Sequence, residues 1–336
     1  MPGARAKVAL LGAGRMGEVR GRIVAHSPRF ELAYLVDPRS DLAEELAGDY
    51  LYCQVASFDD VLADAGVAGV IVATSTDTHL DLVLACLEAG KAVFCEKPLD
   101  LELSRLRAHA KVLANPPAPL YVAFNRRFDP HYRALKAKLD AGLIGALETL
   151  HLISHDPAPP PPSFIPTSGG LFRDFTIHDF DMARWLLGET PTEVFAWAEC
   201  LVDPAIAAAG DVDTARLILR CASGRLCVIS NTRRSGYGYD QRVEAFGEKG
   251  ALMAGNPRVS TLETWSEAGA LAASIFPGFW ARYDASYRAE LDHFADVLMG
   301  VATPLTGYDA SLGALLLADA ATRSLREGRQ VAVEAP

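Results

Sequence analysis

Residues 7–17, KVALLGAGRMG, decide the fold of the first part of the chain. A short apolar strand leads into a glycine-rich turn that opens a helix. Gly12 permits the tight turn, Gly14 lets a pyrophosphate approach the backbone, and Gly17 allows close packing of helix on strand. The start of the helix offers unpaired N–H groups to an anion. The pattern predicts a dinucleotide site contacted by Gly12, Gly14, Arg15 and Met16.

An acidic residue at the end of the second strand supports this interpretation. Asp37 follows Gly17 by twenty residues, and a carboxylate there accepts ribose hydroxyls and repels a 2′-phosphate. The sequence therefore favours NAD. Arg39 could tolerate a 2′-phosphate, so NADP remains the less favoured cofactor. The alternative is a structural glycine turn with an unrelated aspartate.

The first 125 residues alternate strands and helices, which is typical of parallel βαβ units. The segment 69–73, GVIVA, is apolar throughout, as expected of a strand buried on both faces. Thr74, Thr76 and His79 follow it at the sheet edge where ligands bind. We predict that they contact the cofactor, although Thr76 or Asp77 could also cap the next helix.

The regular alternation of strands and helices ends after Asn125. A helix, a strand, the proline run 157–162 and a helix over 169–187 precede strands joined by tight turns at 222–224 and 247–250. That order predicts an α+β domain with an antiparallel sheet. We therefore expect an α/β protein with a Rossmann domain over 1–125 and a substrate and oligomerisation domain over 126–336. Whether the last helix packs back on the Rossmann domain stays open.

The amino-acid composition excludes several classes of binding partner. The chain has 336 residues, 50% hydrophobic, with a net charge of −10, which argues against nucleic-acid or anionic-membrane partners. No apolar run is long enough for a membrane helix, and the start lacks the features of a secretory signal. The six cysteines lack metal-ligand spacing. We expect a cytoplasmic protein with inert core thiols and no metal.

Glu96-Lys97-Pro98 ends an apolar strand abruptly. A lysine at the carboxyl end of a buried strand lies near the expected nicotinamide position, where it can hydrogen-bond a substrate oxygen. The alternative is a surface Glu–Lys pair before a loop. Both Glu96 and Lys97 are also candidate cofactor contacts.

The helix expected over 169–187 carries the second candidate group. Asp174 and His178 are four residues apart and should share one face with Asp181 and Trp185. An imidazole beside a carboxylate can accept a hydroxyl proton near pH 7. The alternatives are a solvated polar face or a metal site formed by His178, Asp174 and Asp181. The apolar stripe is formed by Leu171, Phe175, Met182 and Leu186.

These motifs together resemble the Gfo/Idh/MocA oxidoreductases over nearly the whole chain. The shared features are the glycine loop 12–17, Glu96-Lys97-Pro98, and Gly169-Gly170 followed by Asp174 and His178. Three further segments resemble the myo-inositol 2-dehydrogenases within that family. They are Phe124-Asn125-Arg126-Arg127-Phe128-Asp129, His155-Asp156-Pro157 and Tyr237-Gly238-Tyr239-Asp240.

The resemblance implies a Rossmann domain that carries NAD and a second domain whose open sheet often mediates tetramer formation. It implies a catalytic set matching Lys97, Asp174 and His178, with His178 as the general base, Lys97 orienting the oxygen and Asp174 holding hydroxyls. Arg127, His155 and Tyr239 are candidate polyol contacts, and each could equally be a local structural hydrogen-bonder. The implied reaction oxidises myo-inositol to 2-keto-myo-inositol.

Two other functions stay open. One is an NAD(P)-dependent dehydrogenase of the same family acting on scyllo-inositol or a sugar. The other is a non-catalytic NAD-binding sensor, because fold resemblance alone does not establish activity.

Overall fold

Six parallel strands form the first sheet of the computed structural model, which describes residues 5–335. Their order is β3-β2-β1-β4-β5-β6. The strands are β1 Ala6–Leu11, β2 Phe30–Val36, β3 Gln54–Val55, β4 Gly69–Val72, β5 Ala92–Cys95 and β6 Leu120–Val122. The order reverses between β1 and β4, which is the position where open α/β sheets bind ligands. The central strands β4 and β5 are buried along their whole length, as their apolar sequences predict.

Helices connect these strands. They are α1 Arg15–His26, α2 Ser40–Gly48, α3 Phe58–Ala63, α4 His79–Glu88, α5 Leu103–Ala108 and α6 Ala110–Ala114. A single 3₁₀ turn, Thr76–Thr78, precedes α4. The Rossmann architecture expected from the sequence is confirmed in this part of the chain.

The chain divides into two units. The first runs to Asn125 and includes Tyr287–Leu312, whereas the second takes Arg126–Ser286 and the residues from Gly313 onward. The two last long helices, α12 Phe279–Leu298 and α13 Tyr308–Glu327, therefore each contribute residues to both units.

The second unit is built on a seven-stranded sheet of order β12-β11-β7-β10-β9-β8-β15. Its strands are β7 Leu147–His155, β8 Glu193–Glu199, β9 Thr214–Arg220, β10 Leu226–Thr232, β11 Asp240–Gly247, β12 Gly250–Ala254 and β15 Val331–Ala332. Only the β7–β10 pair is parallel within this described sheet. The expectation of a mostly antiparallel sheet is confirmed, and the turns at 222–224 and 247–250 join β9 to β10 and β11 to β12.

The other elements of this unit lie outside that sheet. A separate two-stranded ribbon consists of β13 Glu263–Ser266 and β14 Gly269–Ala272. The helices are α7 Pro130–Asp140, α8 Ile165–Ser168, α9 Gly170–Asp174, α10 Ile177–Leu187 and α11 Pro204–Ala208. Asp129 caps α7 by accepting hydrogen bonds from the backbone of His131 and Tyr132.

The continuous helix expected over 169–187 is wrong, because the structure breaks it at Phe175–Thr176 into α9 and α10. The Thr176 N–H donates to Leu171 O, five residues back, at 2.9 Å, and the Thr176 hydroxyl donates to Asn231 at 2.7 Å. This anchor to β10 opposes a continuous helix, so Asp174 ends one helix while His178 lies in the first turn of the next. The apolar stripe is confirmed as buried.

Candidate active site

Two glycines of the loop after β1 are required by close contacts. Gly12 has φ +101°, and a Cβ built there would lie 2.5 Å from Ala73 O at the end of β4. A Cβ on Gly17 would lie 1.9 Å from Gly12 O. Only glycine fits either place, so the loop is held tightly between β1, β4 and α1.

Gly14 differs, since a Cβ built there meets nothing within 4 Å. It is the N-cap residue of α1 and no side chain caps the helix. The open space and the N–H groups of the first turn, which contains Arg15 and Met16, suit a pyrophosphate. This part of the site therefore fits a dinucleotide.

Asp37 lies beside the same loop. Its Oδ2 accepts a hydrogen bond from Ala13 N at 2.7 Å, and its Oδ1 accepts from Arg39 N at 2.9 Å. Burial opposes ionisation, but these two backbone donors and the Arg39 guanidinium lower the pKa of Asp37 below its usual value. Asp37 is thus an anion at neutral pH, and its carboxylate oxygens can accept further hydrogen bonds from ribose hydroxyls. The Arg39 Nε lies 3.3 Å from Asp37 Oδ1.

Of the predicted contacts after β4, Thr74 and Thr76 are partly exposed and His79 is buried. The His79 ring lies between two carbonyl oxygens, with Nδ1 2.8 Å from Pro98 O and Nε2 3.2 Å from Thr74 O. Burial lowers the pKa of His79. His79 therefore connects the end of β4 to the loop after β5. The side chain of neither Thr76 nor Asp77 caps α4, whose N-cap is Thr78.

Glu96 is not part of a surface pair. Its Oε1 accepts a hydrogen bond from Arg20 Nε at 2.7 Å, and Arg20 Nη2 lies 2.9 Å from Glu290 Oε2. The Arg20 side chain is fully buried, and its guanidinium lies 4.7 Å from the Phe94 ring centroid and 4.8 Å from that of Tyr287. This buried ion triad holds the end of β5, and Lys97 follows directly after it with partial exposure.

In the second unit, Asp174 and Asp156 both face Arg233. Arg233 Nη2 donates to Asp174 Oδ2 at 3.1 Å, and Arg233 Nη1 lies 3.6 Å from Asp156 Oδ2. Both carboxylate side chains are about one-fifth exposed, whereas that of Arg233 is 3% exposed. Asp174 is thus an acceptor supported by a buried cation.

A buried network fixes the first turn of α10. Asp179 Oδ1 accepts hydrogen bonds from Arg126 Nη1 at 2.6 Å and Ser154 Oγ at 2.7 Å, while its Oδ2 accepts from Asn231 Nδ2 at 2.8 Å. Asn231 in turn accepts from Thr176. Strands β7 and β10 therefore hold the turn that carries His178, whose side chain is partly exposed.

His155 lies beside polar side chains of β10 and β11. Its Nε2 lies 3.0 Å from Ser230 Oγ and its Nδ1 3.6 Å from Asp240 Oδ2. Side chains alternate between the faces of a strand, and Ser154, the preceding residue, faces α10. His155 therefore lies on the other face of the sheet, and burial there lowers its pKa.

Two other predicted polyol contacts are engaged within the fold. Arg127 forms a bidentate pair with Asp181, with N–O distances of 2.8 and 2.6 Å, and Asp181 is 1% exposed. Asp181, which we expected to share a face with Asp174 and His178, is buried in this pair. The Tyr239 ring is 5% exposed and packs edge-on against Tyr283.

Sequence reasoning missed Arg20, Arg233 and Asp179. The one signal for Arg20 is a charge on the apolar face of α1, between Val19 and Ile23. Within residues 5–335, no group of three or more histidine, cysteine or acidic side chains is arranged to hold a metal ion. No helix of the described chain is long and apolar enough to cross a membrane.

The glycine loop at the sheet switch point and the ionised Asp37 define the first unit as a dinucleotide-binding Rossmann fold. Residues 6–124 match the model of an oxidoreductase family with an NAD-binding Rossmann fold, and residues 132–253 match the GFO/IDH/MocA C-terminal domain. The chain belongs to the Gfo/Idh/MocA oxidoreductase family, which confirms the resemblance seen in the sequence.

Relatives match over nearly their whole length. The chain is 46% identical to inositol 2-dehydrogenase of Rhizobium meliloti, covering 96% of this chain and 98% of that protein. It is 42% identical to myo-inositol 2-dehydrogenase of Thermotoga maritima, with 98% of both covered. A crystal structure described as a putative myo-inositol dehydrogenase from Sinorhizobium meliloti superposes with a TM-score of 0.94 at 44% identity, covering 98% of this chain and all of that one.

Proposed function

We propose that this protein oxidises a secondary hydroxyl of an inositol with NAD, converting myo-inositol to 2-keto-myo-inositol. The observation that carries the proposal is the 46% identity to an inositol 2-dehydrogenase over 96% of the chain. The N-terminal domain, residues 1–125, is proposed to bind NAD, and residues 126–336 to bind substrate.

His178 is proposed as the general base that takes the hydroxyl proton, Lys97 as the group that orients the oxygen, and Asp174 as an acceptor for neighbouring hydroxyls. NAD, when bound, supplies the hydride acceptor. The exposure and the position of these three side chains support the assignment. His178 and Asp174 are partly exposed on ordered elements, and Lys97 follows a strand end held by a buried ion triad. The roles of Arg127, His155 and Tyr239 as polyol contacts stay predictions.

The first experiment measures NADH formation at 340 nm with myo-inositol, scyllo-inositol, glucose and xylose. We expect kcat/KM for an inositol to exceed that for the sugars by about tenfold or more, because a site built for hydroxyls rejects analogues that leave its polar groups unpaired. We also expect NAD to be preferred over NADP, since Asp37 is anionic.

Two other results of this experiment would assign a different function. Turnover confined to the sugars would assign a pyranose dehydrogenase. No turnover with either cofactor, together with measurable NAD binding, would favour the sensor.

We propose that the enzyme is a homotetramer that buries one face of the seven-stranded sheet, the face opposite to the one that Ser154 presents to α10. A row of paired side chains crosses this face, formed by Phe195, Ile218, Val228, His151, Glu244 and Met253. Met253 is 71% exposed and the neighbouring Trp197 is 68% exposed. Large exposed apolar side chains grouped on one face are typical of interaction surfaces.

Trp197→Glu is expected to weaken assembly by about thirtyfold or more, because truncation of a buried interface tryptophan costs about 2 kcal/mol or more. Analytical ultracentrifugation across a concentration series measures this. Leu51→Glu is the matched control, since Leu51 is 82% exposed in the first unit. Equal masses for Trp197→Glu and the parent would contradict the assignment of this face.

We also propose that the enzyme acts in polyol catabolism in the cytoplasm. All six cysteines are free thiols, and Cys86, Cys95, Cys221 and Cys227 are buried. Free thiols are typical of proteins in a reducing compartment.

A further inference from the structure

Arg233 directly follows β10 and faces two carboxylates. Its side chain is 3% exposed and lies 3.1 Å from Asp174 Oδ2 and 3.6 Å from Asp156 Oδ2. Its guanidinium carbon lies 5.4 Å from the centroid of the Phe175 ring. One buried cation therefore supports two acidic side chains that come from different parts of the second unit.

The backbone around this cation is held as well. The Arg233 N–H donates to Asp213 O at 2.9 Å, and the Asp156 N–H donates to Thr232 O at 2.9 Å. Asp213 is fully buried and accepts hydrogen bonds from the backbone of residues 201–203. The separation of the Asp156 and Asp174 carboxylates is therefore set by the fold and by Arg233, not by the two side chains alone.

The arrangement places the cation inside and the carboxylates at the surface. The Asp156 and Asp174 side chains are 20% and 21% exposed, compared with 3% for Arg233. A pair needed only for stability gains little from such an arrangement, because exposed carboxylates already have water as a partner. Two fixed, partly exposed carboxylates are well suited to accept hydrogen bonds from two hydroxyls of one ligand.

We propose that Asp156 is a second hydroxyl acceptor of the polyol site, paired with Asp174, and that Arg233 is the positioning residue that holds both. The inference rests on the proposed function, because it assigns the ligand as a ring with neighbouring hydroxyls. Arg233 acts through the carboxylates and does not contact the substrate.

The test compares Arg233→Met with Arg234→Met in the full-length enzyme. Arg234 is the next residue and is exposed, so it controls for loss of one positive charge. Arg233→Met is expected to raise KM for the polyol by about tenfold or more, the value of a hydrogen bond to a charged group, while KM for NAD stays within about twofold. A purely structural role would lower the amount of active enzyme and leave KM for the polyol unchanged.

Two further variants keep the inference testable if Arg233→Met does not fold. Asp156→Asn, at a partly exposed position, is expected to raise KM for the polyol with little change in kcat. Arg233→Lys, which keeps the charge but lacks the two-armed guanidinium, is expected to be intermediate. The double variant Asp156→Asn with Arg233→Met is expected to be less impaired than the product of the two single effects.

The outcomes separate the two proposals. If the parent enzyme oxidises a sugar and not an inositol, the proposed substrate is wrong, and the Arg233 comparison is made with that sugar. If the parent enzyme oxidises an inositol but Asp156→Asn keeps the parent KM, the acceptor role of Asp156 is wrong. A parent KM in folded Arg233→Met would overturn the role of Arg233.

Discussion

His178→Gln is expected to lower kcat for inositol oxidation by about 10²–10⁴-fold, the usual contribution of a general base. Glutamine keeps a polar side chain of similar length but cannot accept and hold the proton. KM for NAD should change little, because the proposed role of His178 is to take the hydroxyl proton and not to bind the cofactor. Steady-state kinetics with varied inositol and varied NAD separate these effects.

The control for this variant is His131→Gln, an exposed histidine of α7 in the same unit. It should leave kcat near the parent value. Circular dichroism and NAD binding by fluorescence check that His178→Gln is folded and still takes the cofactor. A kcat within about threefold of the parent enzyme would assign proton removal to another group.

The glycine loop was predictable because its constraints are local. Gly12 has a φ of +101°, which the tight turn itself requires, and Gly17 is required by a backbone contact with Gly12 in the same strand–turn–helix unit. The contact between Gly12 and Ala73 at the end of β4 adds a second constraint that the local pattern does not show. Asp37 follows from the same unit, since it lies where β2 ends. Parallel strands with buried apolar sequences are likewise encoded in short segments, so the Rossmann fold could be inferred without knowledge of distant contacts.

The break between α9 and α10 was not predictable in the same way. Helical spacing correctly placed Leu171 and Met182 in the core. The break depends on Thr176, whose hydroxyl is bound by Asn231, 55 residues further along the chain. Periodicity describes one helix at a time and does not report which strand its polar residues meet.

Position within a strand explains the placement of His155. His155 and Asp156 follow each other, and the sequence singled out the histidine as a polyol contact. In the structure Asp156 faces Arg233, which also binds Asp174, while His155 lies near Ser230 on the other face. The alternation of side chains along β7 separates His155 from Asp156. Only the observed pairing of β7 with β10 shows which of the two lies on the side of Arg233 and Asp174.

Arg20→Met is expected to lower the free energy of unfolding by about 3–5 kcal/mol, the usual result of removing one partner from a buried ion pair. The loss of the cation leaves Glu96 and Glu290, with side chains 9% and 0% exposed, facing the site of the former guanidinium. Methionine fills most of the volume and keeps the packing against Phe94, so the effect reports charge and hydrogen bonding more than a cavity. Urea unfolding followed by fluorescence measures it.

Arg22→Met is the matched control, because Arg22 is exposed on the same helix two residues away. It should change the free energy of unfolding by less than about 0.5 kcal/mol. Adding Glu290→Gln to Arg20→Met should recover part of the loss, since it removes one of the two uncompensated carboxylates. Equal unfolding free energies for Arg20→Met and Arg22→Met would mean that the triad contributes no net stability. Glu96 would then hold the strand end before Lys97 through its backbone alone, by the Glu96 N–H bond to Val72 O.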